Sequence, residues 1–236
     1  MLLTLTDVHV SIGLSHILQG VSLTVAPGEV VGLFGRNGVG KTTIVKTIAG
    51  WHKLTSGRII FDGKDIQQLE SEQICRSGIG IVPEDRRIFP GLSVLQNLEL
   101  GLMQVSTNQR SIAKNNLDAV LKRFPRLKER EAQLGTTLSG GEQQMLSIAR
   151  VLVGLPKLMV IDEPTEGLAP MIVDDIFKLI EELRERGIAI LLIEQNVRRA
   201  FAVCDRFYAL ERGQIVLEES TSSPSALDSL MKAVSV

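Results

Sequence analysis

Apolar and polar positions alternate along the first thirty residues. Val8, Val10 and Ile12 form one such run and Val21, Leu23 and Val25 another, with Pro27-Gly28 closing the stretch. A period of two predicts antiparallel strands. The next run, Val30-Val31-Gly32-Leu33-Phe34, is apolar throughout and predicts a buried strand, followed by a helix over Thr43 to Ala49 that stops at Gly50. Arg58-Ile59-Ile60-Phe61 before Asp62-Gly63 predicts a strand entering a hairpin turn, and Gly80-Ile81-Val82 a further short strand.

From about Glu84 to Leu155 the strand signal stops. Ser93 to Leu98 opens one helix, Ile112 to Phe124 forms a second, and Gly140 to Leu152 a third, ended by Gly154 and Pro156. Gln104 to Arg110 is polar and reads as a mobile loop. Strands return at Leu158–Ile161, Ala189–Ile193 and, after a Gly213 turn, Gln214–Leu217. Pro170 to Arg186 predicts an amphipathic helix with Val173, Ile176, Ile180 and Leu183 inward and Gly187 as its stop. Glu219 to Ser225, rich in Ser and Thr, reads as a surface tail. The layout is an α/β core interrupted by an all-helical insertion, without an internal repeat.

Composition narrows this little. A chain of 236 residues is one large domain or a domain with a subdomain, and it can bury enough surface to need no staple. Net charge is −1 with no basic block, which argues against general nucleic-acid binding. Cys75 and Cys204 are far apart and fit no metal spacing, so a reducing compartment is expected. Met1-Leu2-Leu3-Thr4 lacks the basic start of a signal peptide, and no apolar run approaches the roughly 18 residues that cross a bilayer. The expectation is a cytoplasmic protein whose membrane role, if any, comes through a partner.

Gly35-Arg36-Asn37-Gly38-Val39-Gly40-Lys41-Thr42 is a complete G-x-x-x-x-G-K-[ST] phosphate-binding loop between a strand and a helix. Its glycines let backbone N–H groups turn onto phosphate oxygens, and the helix N-terminus adds partial positive charge. Lys41 can reach the β- and γ-phosphates and the Thr42 hydroxyl can ligate Mg²⁺. Further on, the apolar strand Leu158-Met159-Val160-Ile161 delivers Asp162 and Glu163 at its carboxyl end, where open α/β sheets place ligands. Asp162 would hold Mg²⁺ or its water, and Glu163 would polarise the attacking water. Leu138-Ser139-Gly140-Gly141-Glu142-Gln143-Gln144 opens the third helix. Ser139 and Glu142 form a capping box, but a cap does not need two glycines, which cost helix stability. Gly140 and Gly141 would let a phosphate approach the helix start, making a second anion site.

Together these segments resemble the ATPase subunit of an ATP-binding-cassette (ABC) transporter. Gly35 to Thr42 resembles the family's Walker A, Leu138 to Gln144 its signature motif, and Leu158 to Glu163 its Walker B. The likeness covers nearly the whole chain. It implies a phosphate-loop NTPase core, RecA-like and α/β, with an N-terminal antiparallel β subdomain and an inserted α-helical subdomain. The expected division is a single ABC ATPase domain over 1–236. The nucleotide-binding core is 1–83 with 156–236, the helical subdomain with the signature is 84–155, and the C-terminal tail is 219–236. The resemblance also implies a head-to-tail dimer, in which ATP on Gly35 to Thr43 of one subunit is covered by the partner subunit's Ser139, Gly140 and Gly141.

Four positions depart from the family's common residues. Ile12 stands where an aromatic stacks on adenine, leaving apolar contact. Glu84 stands at the Q-loop glutamine and can still contact Mg²⁺ or water. The D-loop reads Glu166-Gly167-Leu168-Ala169, where the family usually ends in Asp. Gln195 replaces the switch histidine; it can donate a hydrogen bond to a γ-phosphate oxygen but cannot carry a proton as His does. The expected set is therefore Glu163, Gln195 and Glu84 as catalytic residues and Thr42, Asp162 and Glu84 around Mg²⁺.

Pro83-Glu84-x-Arg86-Arg87-x-Phe89, Glu166-Gly167-Leu168-Ala169-Pro170 and Ile193-Glu194-Gln195-Asn196 are similar to the smaller ATPase of branched-chain amino acid importers. Ser15-His16-Ile17-Leu18 and the phosphate loop also resemble the sister group that imports urea and short amides. The implied assembly is two integral-membrane permeases, a sister ATPase or a second copy of this chain, and an external solute-binding protein, with the chain peripheral on the inner face of the membrane.

A nucleotide-binding structural subunit with little turnover is the alternative that the four substitutions raise; a phosphate-release assay separates the two. A soluble ABC ATPase acting on ribosomes or DNA is disfavoured by the single cassette, the neutral charge and the absence of a coiled-coil insertion. His9, His16 and His52 share no metal spacing. Arg86 and Arg87 either order the Q-loop or are solvated, and Trp51 reads as packed against the sheet.

Overall fold

Strict alternation at the start produces a hairpin. In the computed structural model, which describes residues 1–105 and 107–235, β1 (Leu3–Ile12) and β2 (Ser15–Val25) pair antiparallel, from Leu3 opposite Val25 to Ile12 opposite Ser15. The apolar run after Pro27-Gly28 is β3 (Val30–Phe34), buried at every position. α1 (Lys41–Ile48) follows the glycine-rich loop, and Gly50, with φ +74°, turns the chain away from it. β4 (Ser56–Phe61) and β5 (Lys64–Asp65) flank the Asp62-Gly63 turn. After α2 (Ser71–Arg76) comes β6 (Ile79–Val82).

The middle of the chain is helical, with one isolated bridge between Ser93 and Leu134. α3 (Val94–Glu99), α4 (Arg110–Arg123), α5 (Pro125–Glu129) and α6 (Gly140–Val153) follow in order. Ser93 and Ser139 each close a capping box, at the starts of α3 and α6. The segment read as a polar loop holds short 3₁₀ turns at Leu100–Gln104 and Thr107–Gln109, and its Ser106 lies outside the described residues. β7 (Leu158–Asp162), α7 (Pro170–Glu185), β8 (Ala189–Glu194), α8 (Val197–Val203), β9 (Arg206–Glu211), β10 (Gln214–Ser220) and α9 (Ala226–Ser235) complete the chain.

Two sheets result. One has the order β2-β1-β4-β5; the other runs β10-β9-β3-β8-β7-β6 and is parallel except for β10. The central strands β3, β7 and β8 are buried on both faces, which is why they are apolar almost throughout rather than alternating, whereas the edge strand β10 is half-exposed along its length. Val30, Phe34, Ile161 and Leu192 point to one core, shared with α6 and α7. Val31, Leu33, Val160 and Leu191 point to the other, shared with β1, β2 and α1. Each such aliphatic side chain contributes about 1.5–3 kcal/mol by leaving water. Because β3, β8 and β7 are adjacent and parallel, their carboxyl ends bring the phosphate loop, Glu194-Gln195 and Asp162-Glu163 to one edge.

Two sequence readings change. The segment read as a surface tail carries structure: β10 continues to Ser220, and α9 buries Ala226 and Leu230, four residues apart on one helix face. Trp51 is not packed against the sheet. It is 41% exposed, with the Arg87 guanidinium 4.5 Å from its ring centre.

Candidate functional site

The phosphate loop is held by glycines for three separate reasons. A Cβ on Gly35 would stand 2.4 Å from the Leu210 carbonyl oxygen, so this glycine serves the packing of the loop on β9. Gly38 and Gly40 have φ of +81° and +114°, a left-handed backbone that side chains resist. Only Gly38 has open space where a Cβ would be. The packing of a Cβ position does not decide where a backbone N–H points, so the expectation that these N–H groups face phosphate is unaffected. The Val39 side chain packs on the core beneath the loop.

A cavity of about 370 Å³ opens above this loop. Asn37, Gly38, Gly40, Lys41, Thr42 and Thr43 form its floor. Ile12, Ile17, Glu84, Glu163, Glu166 and Gln195 complete its lining. Ile12 is half-exposed, an apolar surface for a planar group. Ile17 and Glu166 are additions to the expected set. The hairpin register that sets Ile12 opposite Ser15 carries the signal for Ile17, two residues along the same strand.

Lys41 is 4% exposed and donates to the carbonyls of Gly35 at 2.8 Å and Arg36 at 3.0 Å. Its ammonium is also 3.4 Å from the Glu163 carboxylate, which is 8% exposed. Gln195 Nε2 donates to the other Glu163 oxygen. Glu163 sits at φ +46°, and its N–H donates to the Ile193 carbonyl at 2.9 Å. Glu163 therefore has both carboxylate oxygens and its backbone held, in a conformation that costs a non-glycine residue energy.

Asp162 lies deeper, 2% exposed. The Thr42 hydroxyl hydrogen-bonds its carboxylate, yet Oδ1 has no partner among the described residues. Burial, with the neighbouring Glu163 charge adding to it, pushes the Asp162 carboxyl from 3.8 up to about 6. The folded value is above the unfolded one, so the native state binds more protons between about pH 4 and 6. Stability of the metal-free chain then falls as pH rises through that window, by an upper bound of about 3 kcal/mol. Asp162→Asn should remove this fall. Thermal unfolding in chelator at pH 5 and pH 7 checks it, and a parent-like pH dependence in the variant would contradict it.

Glu84, Glu163 and Glu166 bring carboxylate oxygens within 4.8 Å of one another. Burial and the charges of Glu163 and Glu166 push the Glu84 carboxyl upward. Arg86, at φ +58°, lends its guanidinium to the Glu166 carbonyl at 3.4 Å. Arg86 and Arg87 are therefore not simply solvated: their carbonyls accept from the buried Arg150 of α6 at 3.1 and 2.8 Å. Burial lowers the Arg150 guanidinium to about 10, and the ring of Phe89 lies 5.1 Å from it.

Ser139, Gly140 and Gly141 do not line this cavity. Ser139 is exposed at the α6 N-terminus, where its hydroxyl accepts from Glu142 N at 3.4 Å and its N–H donates to Glu142 Oε2 at 3.0 Å. Gly141 has a packing reason of its own, since a Cβ there would stand 2.9 Å from Ile172 of α7. Ser139 is exposed, Gly140 half-buried and Gly141 buried at this helix start.

A larger cavity, about 490 Å³, lies apart from this one between α2, β6 and α6. Trp51, Phe89 and Met103 are exposed apolar side chains on its wall.

Comparison with known proteins agrees with this geometry. The family described as ABC transporter matches residues 18–166. The chain is 42% identical to the high-affinity branched-chain amino acid transport ATP-binding protein BraG of Pseudomonas aeruginosa, over 93% of each. It is 39% identical to the lipopolysaccharide export system ATP-binding protein LptB of Escherichia coli, over 85% of this chain and 83% of that one. Among solved structures, the ADP conformation of MJ1267, an ATP-binding cassette of an ABC transporter, matches with TM-score 0.85 and 28% identity, over 98% and 94% of the two chains. The dimeric structure of MJ0796, a bacterial ABC transporter cassette, matches with TM-score 0.81 and 26% identity, over 94% and 99%. With a phosphate loop, a paired Asp-Glu and a signature helix on one α/β frame, the chain belongs to the ABC transporter family as an ATP-hydrolysing subunit.

Proposed function

We propose that this chain is the ATP-driven motor of an importer for branched-chain amino acids. The observation that carries the reading is the 42% identity to BraG across almost the whole of both chains. If it is right, deleting the gene, or replacing it by a Lys41→Ala version, should abolish high-affinity uptake of labelled leucine, isoleucine and valine. Unchanged uptake of all three would overturn it. Urea and short-amide uptake, measured in the same cells, tests the sister group. The similarity to LptB favours a second reading, an export motor, for which those uptakes would be normal and the outer surface altered.

The roles follow from the cavity. Ile12 and Ile17 offer an apolar face to the base, and the loop from Gly35 to Thr43 holds the phosphates. Mg²⁺ fits the donor set: a buried carboxylate oxygen without a partner on Asp162, which lies beneath the cavity lining, the Thr42 hydroxyl beside it, and Glu84, which lines the cavity with Thr42. Bound there, it would neutralise phosphate charge as a Lewis acid. Lys41 exchanges Glu163 for a phosphate oxygen, which frees the carboxylate to orient water. Gln195 keeps that carboxylate aimed and contributes a donor near the γ-phosphate.

Lys41→Ala should weaken ATP binding itself by roughly 10–100-fold, the worth of a charged hydrogen bond to phosphate. Titration with a fluorescent nucleotide measures it, and parental affinity would remove Lys41 from the site.

The working unit is a head-to-tail dimer with a sister ATPase or a second copy, as the dimeric cassette among its relatives supports. The apolar wall of Trp51, Phe89 and Met103 suits a short helix of a membrane partner. No helix among the described residues is long and apolar enough to cross a membrane, so two permease subunits would hold the chain on the inner face, with a solute-binding protein outside.

A further inference from the structure

Glu194 is a buried carboxylate that the roles above leave without a task. It ends β8 and is 2% exposed. One oxygen, Oε1, accepts from the Thr165 N–H at 3.2 Å and the Thr165 hydroxyl at 2.7 Å. The other, Oε2, accepts from the N–H groups of Gln195 at 3.1 Å and Asn196 at 3.2 Å. Its four donors thus come from two segments, the turn that follows Glu163 and the turn that carries Gln195.

Glu163 stands between those segments. Its backbone is left-handed, its N–H is tied to Ile193, and Gln195 donates to its carboxylate. Strain of this kind persists only where the surroundings fix the backbone from several sides. A charge in an apolar strand end is costly unless every lone pair is used. Here each oxygen has two donors, one pair from each segment.

We propose that Glu194 is a positioning residue for Glu163: a buried anion that staples the ends of β7 and β8, keeping the reactive carboxylate and Gln195 in register. This rests on the reading of Glu163 as the group that orients the attacking water. Only a carboxylate can do it, because it accepts four bonds and donates none. In Glu194→Gln the amide nitrogen must face one of the two donor pairs, so at least one N–H loses its acceptor while shape is kept.

The test compares the full chain with Glu194→Gln, Glu163→Gln and the double variant. ATP turnover is followed in single- and multiple-turnover mode, with nucleotide affinity from fluorescence titration. Glu194→Gln should lower kcat roughly 10–100-fold, the scale of a misplaced catalytic group, with affinity unchanged. Adding it to Glu163→Gln should cost nothing further, because the group being positioned is already gone. Parental kcat in Glu194→Gln, a loss confined to affinity, or a full additional loss in the double variant each overturns the positioning role alone. Parental turnover in Glu163→Gln overturns the underlying reading as well, and shows in a different variant. If Glu194→Gln does not fold, Thr165→Val, which removes one donor and leaves the charge, carries the same comparison with a smaller expected loss.

Discussion

Glu163→Gln should bind ATP at least as tightly as the parent and hydrolyse it roughly 10²–10⁴-fold more slowly, the usual worth of a general base. The amide keeps the size of the side chain and can still accept from Gln195, so the cavity wall stays in place. It cannot pair as an anion with Lys41, whose ammonium now lies 3.4 Å from the carboxylate. Phosphate then no longer competes with an internal anion for that ammonium, and binding has no reason to weaken. With turnover blocked, ATP should persist between two subunits as a stable bridge. Phosphate release and gel filtration in ATP read the two halves of this result. Hydrolysis at the parental rate would remove Glu163 from its role, and slow hydrolysis with weakened binding would mean that the substitution had damaged the loop.

What the sequence disclosed of this site is its chemistry more than its wiring. The glycines and Lys41 announce a phosphate loop because their order along the chain is itself the structure: strand, turn, helix. Asp162 and Glu163 are legible because four apolar residues of a doubly covered strand end on them. The Ser139 capping box is local, four residues from Ser139 to Glu142, and forms as expected. Long-range pairings leave no such trace. Nothing near Lys41 indicates that it lies against Glu163, nothing near Trp51 that Arg87 covers it, and nothing near Glu194 that Thr165 donates to it twice. α9 was hidden for a different reason. Its turn-forming Ser-Thr lead resembles a tail, and the burial of Ala226 and Leu230, with Ala233 and Val234 packed beside them, shows that one helical face meets the core. The Gly141 contact with Ile172 shows the opposite hazard, a glycine inside a recognisable motif that helix packing alone would require.

Ser139→Arg should spare ATP binding by the single subunit yet abolish ATP-dependent dimerisation. Ser139 is exposed and stands outside the cavity that holds Lys41 and Thr42, so a nucleotide bound in that cavity does not meet it within one chain. In a head-to-tail dimer it would face the partner's γ-phosphate, and a long cation would fill that space. Loss of the cap costs about 1 kcal/mol, too little to unfold a domain of this size. Arg130, 3.5 Å from Glu142, remains to hold the carboxylate at the helix start. Mixing the variant with Lys41→Ala tests the geometry in trans, provided the chain pairs with itself. One composite site then combines an intact phosphate loop with an intact signature, while the other carries both defects. ATP-dependent dimer should return in the mixture and in neither variant alone, as read by sedimentation with and without nucleotide. Failure of Ser139→Arg to bind ATP as a monomer would mean that the signature acts on its own subunit's nucleotide, and the head-to-tail arrangement would fall with it.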